Sequence, residues 1–303
     1  MNPMVRWMSA VAGFVLVLTT GSGVAFGTES PPLQPARSGQ PVWQIIVSSK
    51  CIAACQQYPE GVSAQLTLYD NETGIAEWTN LGIPPGLASH EIWDIGLWAI
   101  APGSAGSSTF FLLDVNGTIP DVKRAFRIPL LDLGLPAAAG HYSTDRFVGV
   151  DAPPETSLEV QITKVPGAEV INLALGKSTT ASNWLSDQPP SMAVDGNFFT
   201  FWNAGDFPPQ WIEVDLGAPH AIGEISLSIT QLPDGFTVHG VYGKPSPDAS
   251  YTLLHEFAGF TLDLQVLRFT LPLAAPNIRF LRIETTQSPS WVAWREIGVY
   301  PAR

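Results

Sequence analysis

Residues 210–217 read QWIEVDLG, a short run in which two kinds of side chain alternate strictly. Alternation with a period of two is typical of a β-strand with one face in the core and the other toward solvent. The stretch therefore predicts a half-buried strand. Its two faces carry, in turn, Trp211, Glu213 and Asp215, and then Ile212, Val214 and Leu216.

The chain after this strand repeats the same kind of segment. Each segment is rich in β-branched and aromatic residues, and clusters of Pro, Gly, Asp and Asn separate one from the next. No helical pattern interrupts them, so we expect a β-sandwich or a barrel. The segments are AIGEISLSI, FTVHGVYG, SYTLLHEF, LQVLRFTL, IRFLRIET and VAWREIGVY.

Five strings between Asn172 and Tyr300 carry a family resemblance. In order they are NLALGKSTTAS, SMAVDGNFFTFW, QWIEVDLG, RFLRIETT and WREIGVY. At this order and spacing the segment resembles the discoidin family, also called coagulation factor type C domains, whose bacterial members look like family 32 carbohydrate-binding modules. The resemblance implies a galactose-binding-like jelly roll that binds a ligand without catalysing a reaction.

The rest of the chain predicts an exported protein with a second β domain. Residues 1–27 have one early basic residue, a short apolar core and small residues near Gly27, as a secretory signal peptide has. Residues 28–41 read as a flexible linker, and residues 42–164 as a β-sandwich of seven strands of no recognised family. The discoidin-like domain is predicted over 168–303. No segment is long and apolar enough to span a membrane, so we expect a secreted protein.

Charge, cysteine content and the lack of catalytic motifs restrict the expected partners and activity. The formal net charge is −12, which disfavours nucleic acid and anionic membranes as partners. Cys51 and Cys55 are the two cysteines, and in an exported chain they are expected to form a small disulfide loop, with free thiols as the alternative. No hydrolase or nucleotide-binding signature occurs, so we expect no enzyme.

The resemblance also implies a structural calcium site. In the family, the loop that carries AVDGN and the T-x-W string surrounds the ion together with a glutamate of the last strand. Calcium takes 6–8 oxygen ligands, which carboxylate, amide, hydroxyl and carbonyl groups can supply. The alternative is a plain tight turn beside a solvated glutamate. The implied ligands are Asp195, Asn197, Thr200 and Glu296, with main-chain carbonyls near Met192 and Arg295.

The expected ligand contacts are exposed aromatic rings with polar neighbours, since a ring can stack on the apolar face of a sugar. Trp202 and Trp211 are expected in the core. His239 could instead be an ordinary strand histidine, and Arg282 could make a structural ion pair. Trp184 and Trp291 lie in polar, proline-bearing loops and are the aromatic candidates. The polar candidates are Asn183, Asp187, Asp234, His239 and Arg282.

Two functions fit these observations. The first is a secreted, non-catalytic carbohydrate-binding protein that binds cell-surface or extracellular glycan through loops of the C-terminal jelly roll. The alternative is a surface adhesion or structural protein whose C-terminal module contacts a protein partner.

Overall fold

The computed structural model describes residues 39–51, 63–79, 90–102, 108–117, 126–132, 141–144, 156–272 and 277–303. The chain divides into two compact units, the first up to Val170 and the second Ile171–Arg303. The predicted signal peptide and Cys55 lie outside the described residues, so leader and disulfide stay predictions. Within the described ranges, no helix is long and apolar enough to cross a membrane.

The first unit contains all seven strands predicted for residues 42–164, and one more, β7. They are hydrogen-bonded as one continuous antiparallel sheet in the order β6-β5-β4-β3-β2-β1-β8-β7. The strands are β1 (Pro41–Cys51), β2 (Ser63–Tyr69), β3 (Gly74–Thr79), β4 (His90–Pro102), β5 (Ser108–Gly117), β6 (Phe126–Asp132), β7 (His141–Thr144) and β8 (Thr156–Lys164).

Several large apolar side chains of this sheet are buried. Trp43 and Ile45 are buried on β1, whereas Gln44 between them is exposed. The Trp98 indole N–H donates to the carbonyl of Tyr69 at 2.9 Å, which satisfies the one polar atom of a large buried ring. Burial follows period two only in part, because Val42 beside Trp43 and Leu97 beside Trp98 are also buried.

The second unit is a sandwich of two antiparallel sheets. One sheet has the order β14-β13-β16-β11-β9 and the other β10-β17-β12-β15, with a 3-10 turn at Pro190–Ala193. The all-β class is confirmed. The strands are β9 (Ser178–Ala181), β10 (Trp202–Asn203), β11 (Gln210–His220), β12 (Ile222–Ile229), β13 (Gly235–Lys244), β14 (Thr252–Thr261), β15 (Val266–Thr270), β16 (Ile278–Gln287) and β17 (Ala293–Pro301).

The core of the sandwich follows the pattern of β11. Ile212, Val214 and Leu216 are buried against apolar residues of the facing sheet, and Trp202 and Trp294 are fully buried in the same cluster. Each such side chain contributes roughly 1.5–3 kcal/mol by leaving water. The core expectation is thus confirmed for Trp202.

Trp211 departs from the core expectation. It lies on the outer face of the five-stranded sheet, half-buried, with the guanidinium of Arg282 4.1 Å from its ring centroid. The reason is its register: on a β-strand, Trp211 must point away from the face that Ile212 and Val214 occupy. Only alternate residues of the QWIEVDLG string point into the core, and Trp211 is not one of them.

Hydrogen bonds join the start of the second unit to its last strand. The Leu173 N–H donates to the carbonyl of Val299 at 2.7 Å. The side-chain oxygen of Asn172 accepts from the N–H groups of Ala174 and Val299, each at 3.0 Å. The two ends of the sandwich are therefore fixed to each other without a disulfide.

Candidate functional site

Five loops meet at one end of the sandwich, and we call them the rim. Pairing of Ala181 with Ile212, and of Gln210 with Thr285, brings the loops that follow β9, precede β11 and follow β16 to the same end. Pairing of Gly235 with Thr261 adds the loops before β13 and after β14. The rim comprises residues 182–189, 204–209, 230–234, 262–265 and 288–292.

Backbone hydrogen bonds hold the first, second and fifth of these loops side by side. The Leu185 N–H donates to the carbonyl of Asn203 at 3.0 Å, and Val292 N–H to the carbonyl of Asp206 at 3.1 Å. Ala204 N–H returns a bond to the carbonyl of Val292 at 2.9 Å. The loops that carry Trp184 and Trp291 therefore flank the loop at 204–209.

The two predicted aromatic candidates are exposed on this rim. Trp184 retains 49% and Trp291 46% of its accessible surface, whereas most large apolar side chains of the unit are buried. Phe207, on the loop between them, is 52% exposed. Sequence reasoning missed Phe207, although its GDFPPQ loop has the same polar, proline-bearing character as the loop of Trp184.

Three of the polar candidates also lie on the rim. Asn183 has an exposed side chain, and its carbonyl accepts the indole N–H of the buried Trp202 at 3.0 Å, which anchors this loop to the core. Asp187 and Asp234 are exposed. Asp234 Oδ1 accepts the Asp263 N–H at 2.9 Å and so links two neighbouring loops.

Contact with Pro289 places the loop of Asp234 beside the loop of Trp291. A Cβ added to Gly235 would lie 2.8 Å from the Pro289 ring, closer than real Cβ contacts come. Glycine at this position therefore allows the two loops to touch.

His239 lies inside the sandwich and away from the rim surface. It is 4% exposed, its ring is 4.8 Å from that of Trp294 in a T-shaped arrangement, and its Nδ1 is 2.9 Å from the Thr285 hydroxyl. Burial lowers the pKa of His239 to about 4. The imidazole is therefore neutral at pH 7 and belongs to the core.

Arg282 lies on the outer face of the five-stranded sheet. Its Nη2 is 3.0 Å from Glu213 Oε2, and its guanidinium lies over the rings of Trp211 and Tyr251. The Tyr251 hydroxyl donates to the same carboxylate of Glu213. Of the two alternatives for Arg282, a ligand contact or a structural ion pair, the structure has the ion pair. Cation–π contacts reinforce it.

The implied calcium ligands cluster in one loop beside β17. The Thr200 hydroxyl donates to both carboxylate oxygens of Asp195, at 3.0 and 2.8 Å, and the Asn197 N–H donates to Asp195 Oδ1 at 2.9 Å. Gly196 N–H donates to Glu296 Oε1 at 3.3 Å, although the two residues are a hundred positions apart. Glu296 itself is 3% exposed.

This donor set fits calcium in its chemistry. Two carboxylates, an amide and a hydroxyl are all hard oxygen donors. Met192 lies in the 3-10 turn that adjoins the loop in the chain, and Arg295 directly precedes Glu296 on β17. The described residues contain no group of three or more His, Cys, Asp or Glu side chains that could hold a metal ion.

Comparison with known proteins addresses the second unit alone. Residues 175–297 match the family model of the F5/8 type C domain. No curated protein matches the chain.

Among solved structures, the second unit is similar to several carbohydrate-binding modules. Chitosan-binding module 2 of a chitosanase/glucanase from Paenibacillus sp. IK-5, solved with chitotriose, is 26% identical over 43% of this chain and 99% of the module, with a TM-score of 0.37. The family 32 module of NanJ from C. perfringens, solved with galactose, is 20% identical over 41% of this chain and 93% of the module, with a TM-score of 0.36.

The family model begins at Leu175, within NLALGKSTTAS, and ends at Ile297, within WREIGVY, so its range contains the other three strings in full. The structure adds the two-sheet sandwich that those strings imply. Residues 175–297 of this chain are therefore an F5/8 type C domain, a member of the discoidin family.

Proposed function

We propose that this protein is a secreted, non-catalytic carbohydrate-binding protein that holds glycan on the rim of its C-terminal sandwich. The observation that carries the proposal is the exposure of Trp184, Phe207 and Trp291 on adjoining loops at one end. Large aromatic side chains left in water on a rigid scaffold are typical of a binding surface.

The neighbours of these rings suit a saccharide. A sugar has an apolar face that stacks on an aromatic ring, and hydroxyl groups that need hydrogen-bond partners around it. Asn183, Asp187 and Asp234 supply such partners on the same rim. Because the loops are tied to one another by backbone hydrogen bonds, little ordering is left for the ligand to impose.

Secretion rests on the leader pattern of residues 1–27. An exported chain whose N-terminus is Thr28 would support this part of the proposal. The lack of catalysis rests on the absence of catalytic motifs in the sequence.

We also propose that the Asp195 loop holds a structural calcium ion. Asp195, Asn197, Thr200 and Glu296 would hold it, and bound calcium would join the loop to β17 across a long sequence separation. Gathering of all four residues around one loop supports this role.

A second candidate function is contact with a protein partner. Leu232, on the rim, is 86% exposed, and Phe236, four residues later at the start of β13, is 50% exposed. Apolar side chains of this kind are common in protein interfaces.

Affinity electrophoresis of the full chain through gels that contain polysaccharide tests the first function. Trp184→Ala and Trp291→Ala should each weaken retention about tenfold or more, because truncating an anchoring tryptophan costs upward of ~1.4 kcal/mol. Leu253→Ala is the matched control: Leu253 is 51% exposed at the opposite end of β14 and should leave retention unchanged. Retention that survives both tryptophan substitutions would refute the rim as the contact surface.

A further inference from the structure

The rim carries negative charge and no positive charge. Its five loops contain four aspartates and no lysine, arginine or histidine. The four are Asp187, Asp206, Asp234 and Asp263. This imbalance deepens the proposed function and rests on it, because it bears on which saccharides the exposed rings would accept.

Three carboxylates on the two sheets of the same unit face cations. Asp215 contacts Arg279 at 2.8 Å and Glu213 contacts Arg282 at 3.0 Å, both on the outer face of the five-stranded sheet. Glu224 pairs with Arg268 on the other sheet. Ion pairing thus neutralises these three carboxylates, whereas the rim loops supply no cation of their own.

Each exposed ring has a carboxylate close to it in the chain or across a loop contact. Asp206 directly precedes Phe207, and Asp187 follows Trp184 by three residues. Asp234 belongs to the loop that packs on Pro289, two residues before Trp291. A ligand stacked on any of the three rings would therefore lie beside a negative charge.

We propose that the rim selects saccharides that bear protonated amines, such as 2-amino-2-deoxy sugars with free amino groups, over neutral and acidic ones. An ammonium group on a stacked sugar gains from a neighbouring carboxylate and from the face of a tryptophan ring. A uronate at the same place would meet like charge. Selection therefore comes from charge, while the rings supply most of the affinity.

The aspartates also have local roles that a neutral amide can keep. Asp206 Oδ1 accepts the N–H of Phe207 at 2.7 Å, and Asp234 Oδ1 accepts the N–H of Asp263 at 2.9 Å. Asparagine has an oxygen acceptor at the same position. Asp→Asn substitution thus removes the charge and leaves these loop contacts in place.

Titration calorimetry of the full chain with three probes of equal length tests the proposal. The probes are the trimers of glucosamine, of N-acetylglucosamine and of mannuronic acid, the first of which is positively charged at mildly acidic pH. Asp187→Asn, Asp206→Asn and Asp234→Asn should each weaken glucosamine trimer binding about two- to fivefold, as expected for exposed charge pairs. Asp248→Asn, exposed on the turn between β13 and β14, is the matched control and should have no effect.

The salt dependence provides a second measurement. Raising ionic strength from ~0.01 M to ~1 M shortens the Debye length from about 30 Å to about 3 Å, so glucosamine trimer binding should weaken while binding of the N-acetylated trimer changes little. Equal or tighter binding of the neutral or acidic trimer would overturn the charge selection and leave the proposed glycan-binding function intact. Failure of every saccharide to bind would overturn both.

Discussion

His239 couples the stability of the sandwich to pH. Burial lowers the pKa of His239 from 6.5 to about 4. Between these values the unfolded chain binds more protons than the folded one, so the free energy of unfolding rises with pH and falls as the solution is acidified. The loss should begin near pH 6.5 and reach about 3 kcal/mol by pH 4. Urea unfolding across this range measures it.

Comparison with His239→Gln isolates this effect. Glutamine cannot titrate but can still bond the Thr285 hydroxyl, so the slope of stability against pH should become shallower in the variant. Burial also lowers the pKa of His255, which lies against Phe257 and Phe269, and that contribution should remain. Equal slopes in the two proteins would show that folding does not lower the pKa of His239.

Individual residues were only partly predictable. Loop composition identified Trp184 and Trp291, because a tryptophan among Pro, Ser and Asp has no apolar neighbours in sequence to pack on. The same signal was present at Phe207, but phenylalanine is so often buried that the loop alone did not single it out. The place of Arg282 depends on its cross-strand partner Glu213, which sequence does not reveal.

Among the elements, the Asp195 loop and β17 should respond together to calcium. A ligand that binds only the folded state raises the free energy of unfolding by about 2.7 kcal/mol at a hundred times its dissociation constant. We therefore expect the melting temperature of the full chain to rise in calcium and to fall when a chelator is added. Differential scanning calorimetry measures the shift.

Asp195→Asn and Glu296→Gln should each abolish the calcium-dependent shift. The readout is the difference between calcium and chelator for each variant, because Glu296 is buried and its substitution can lower stability by itself. Asp187→Asn changes an exposed carboxylate outside the loop and should retain the full shift. A shift that persists in both loop variants would place calcium elsewhere or exclude it from this loop.

Strand existence was more predictable than strand length or partner. Seven segments in each unit had alternating or β-rich patterns, and each forms a strand. The missed strands are short: β7 and β9 have four residues and β10 has two. A run this short shows no periodicity in sequence. β10, for example, is a strand only because Trp202 pairs with Trp294 of β17.

At the scale of the whole molecule, sequence alone did not determine how strands share sheets. Strand-like segments separated by turn residues predicted a sandwich of seven strands in the first unit, and its described strands are hydrogen-bonded into one sheet of eight. In the second unit the resemblance supplied the jelly-roll architecture, which periodicity alone does not give. Pairing joins residues far apart in the chain, so it depends on contacts that no local window contains.

The second unit should fold and bind without the first. The described residues of its core cluster all lie after Ile171, and Leu173 and Asn172 bond Val299, so the start of the unit is joined to its last strand. A chain of residues 168–303 should therefore unfold in one cooperative transition and retain the full chain's affinity for oligosaccharide. Calorimetry and the same titrations measure both. A cooperative fragment that has lost affinity would assign part of the binding surface to the first unit, and an unfolded fragment would show that the sandwich depends on it.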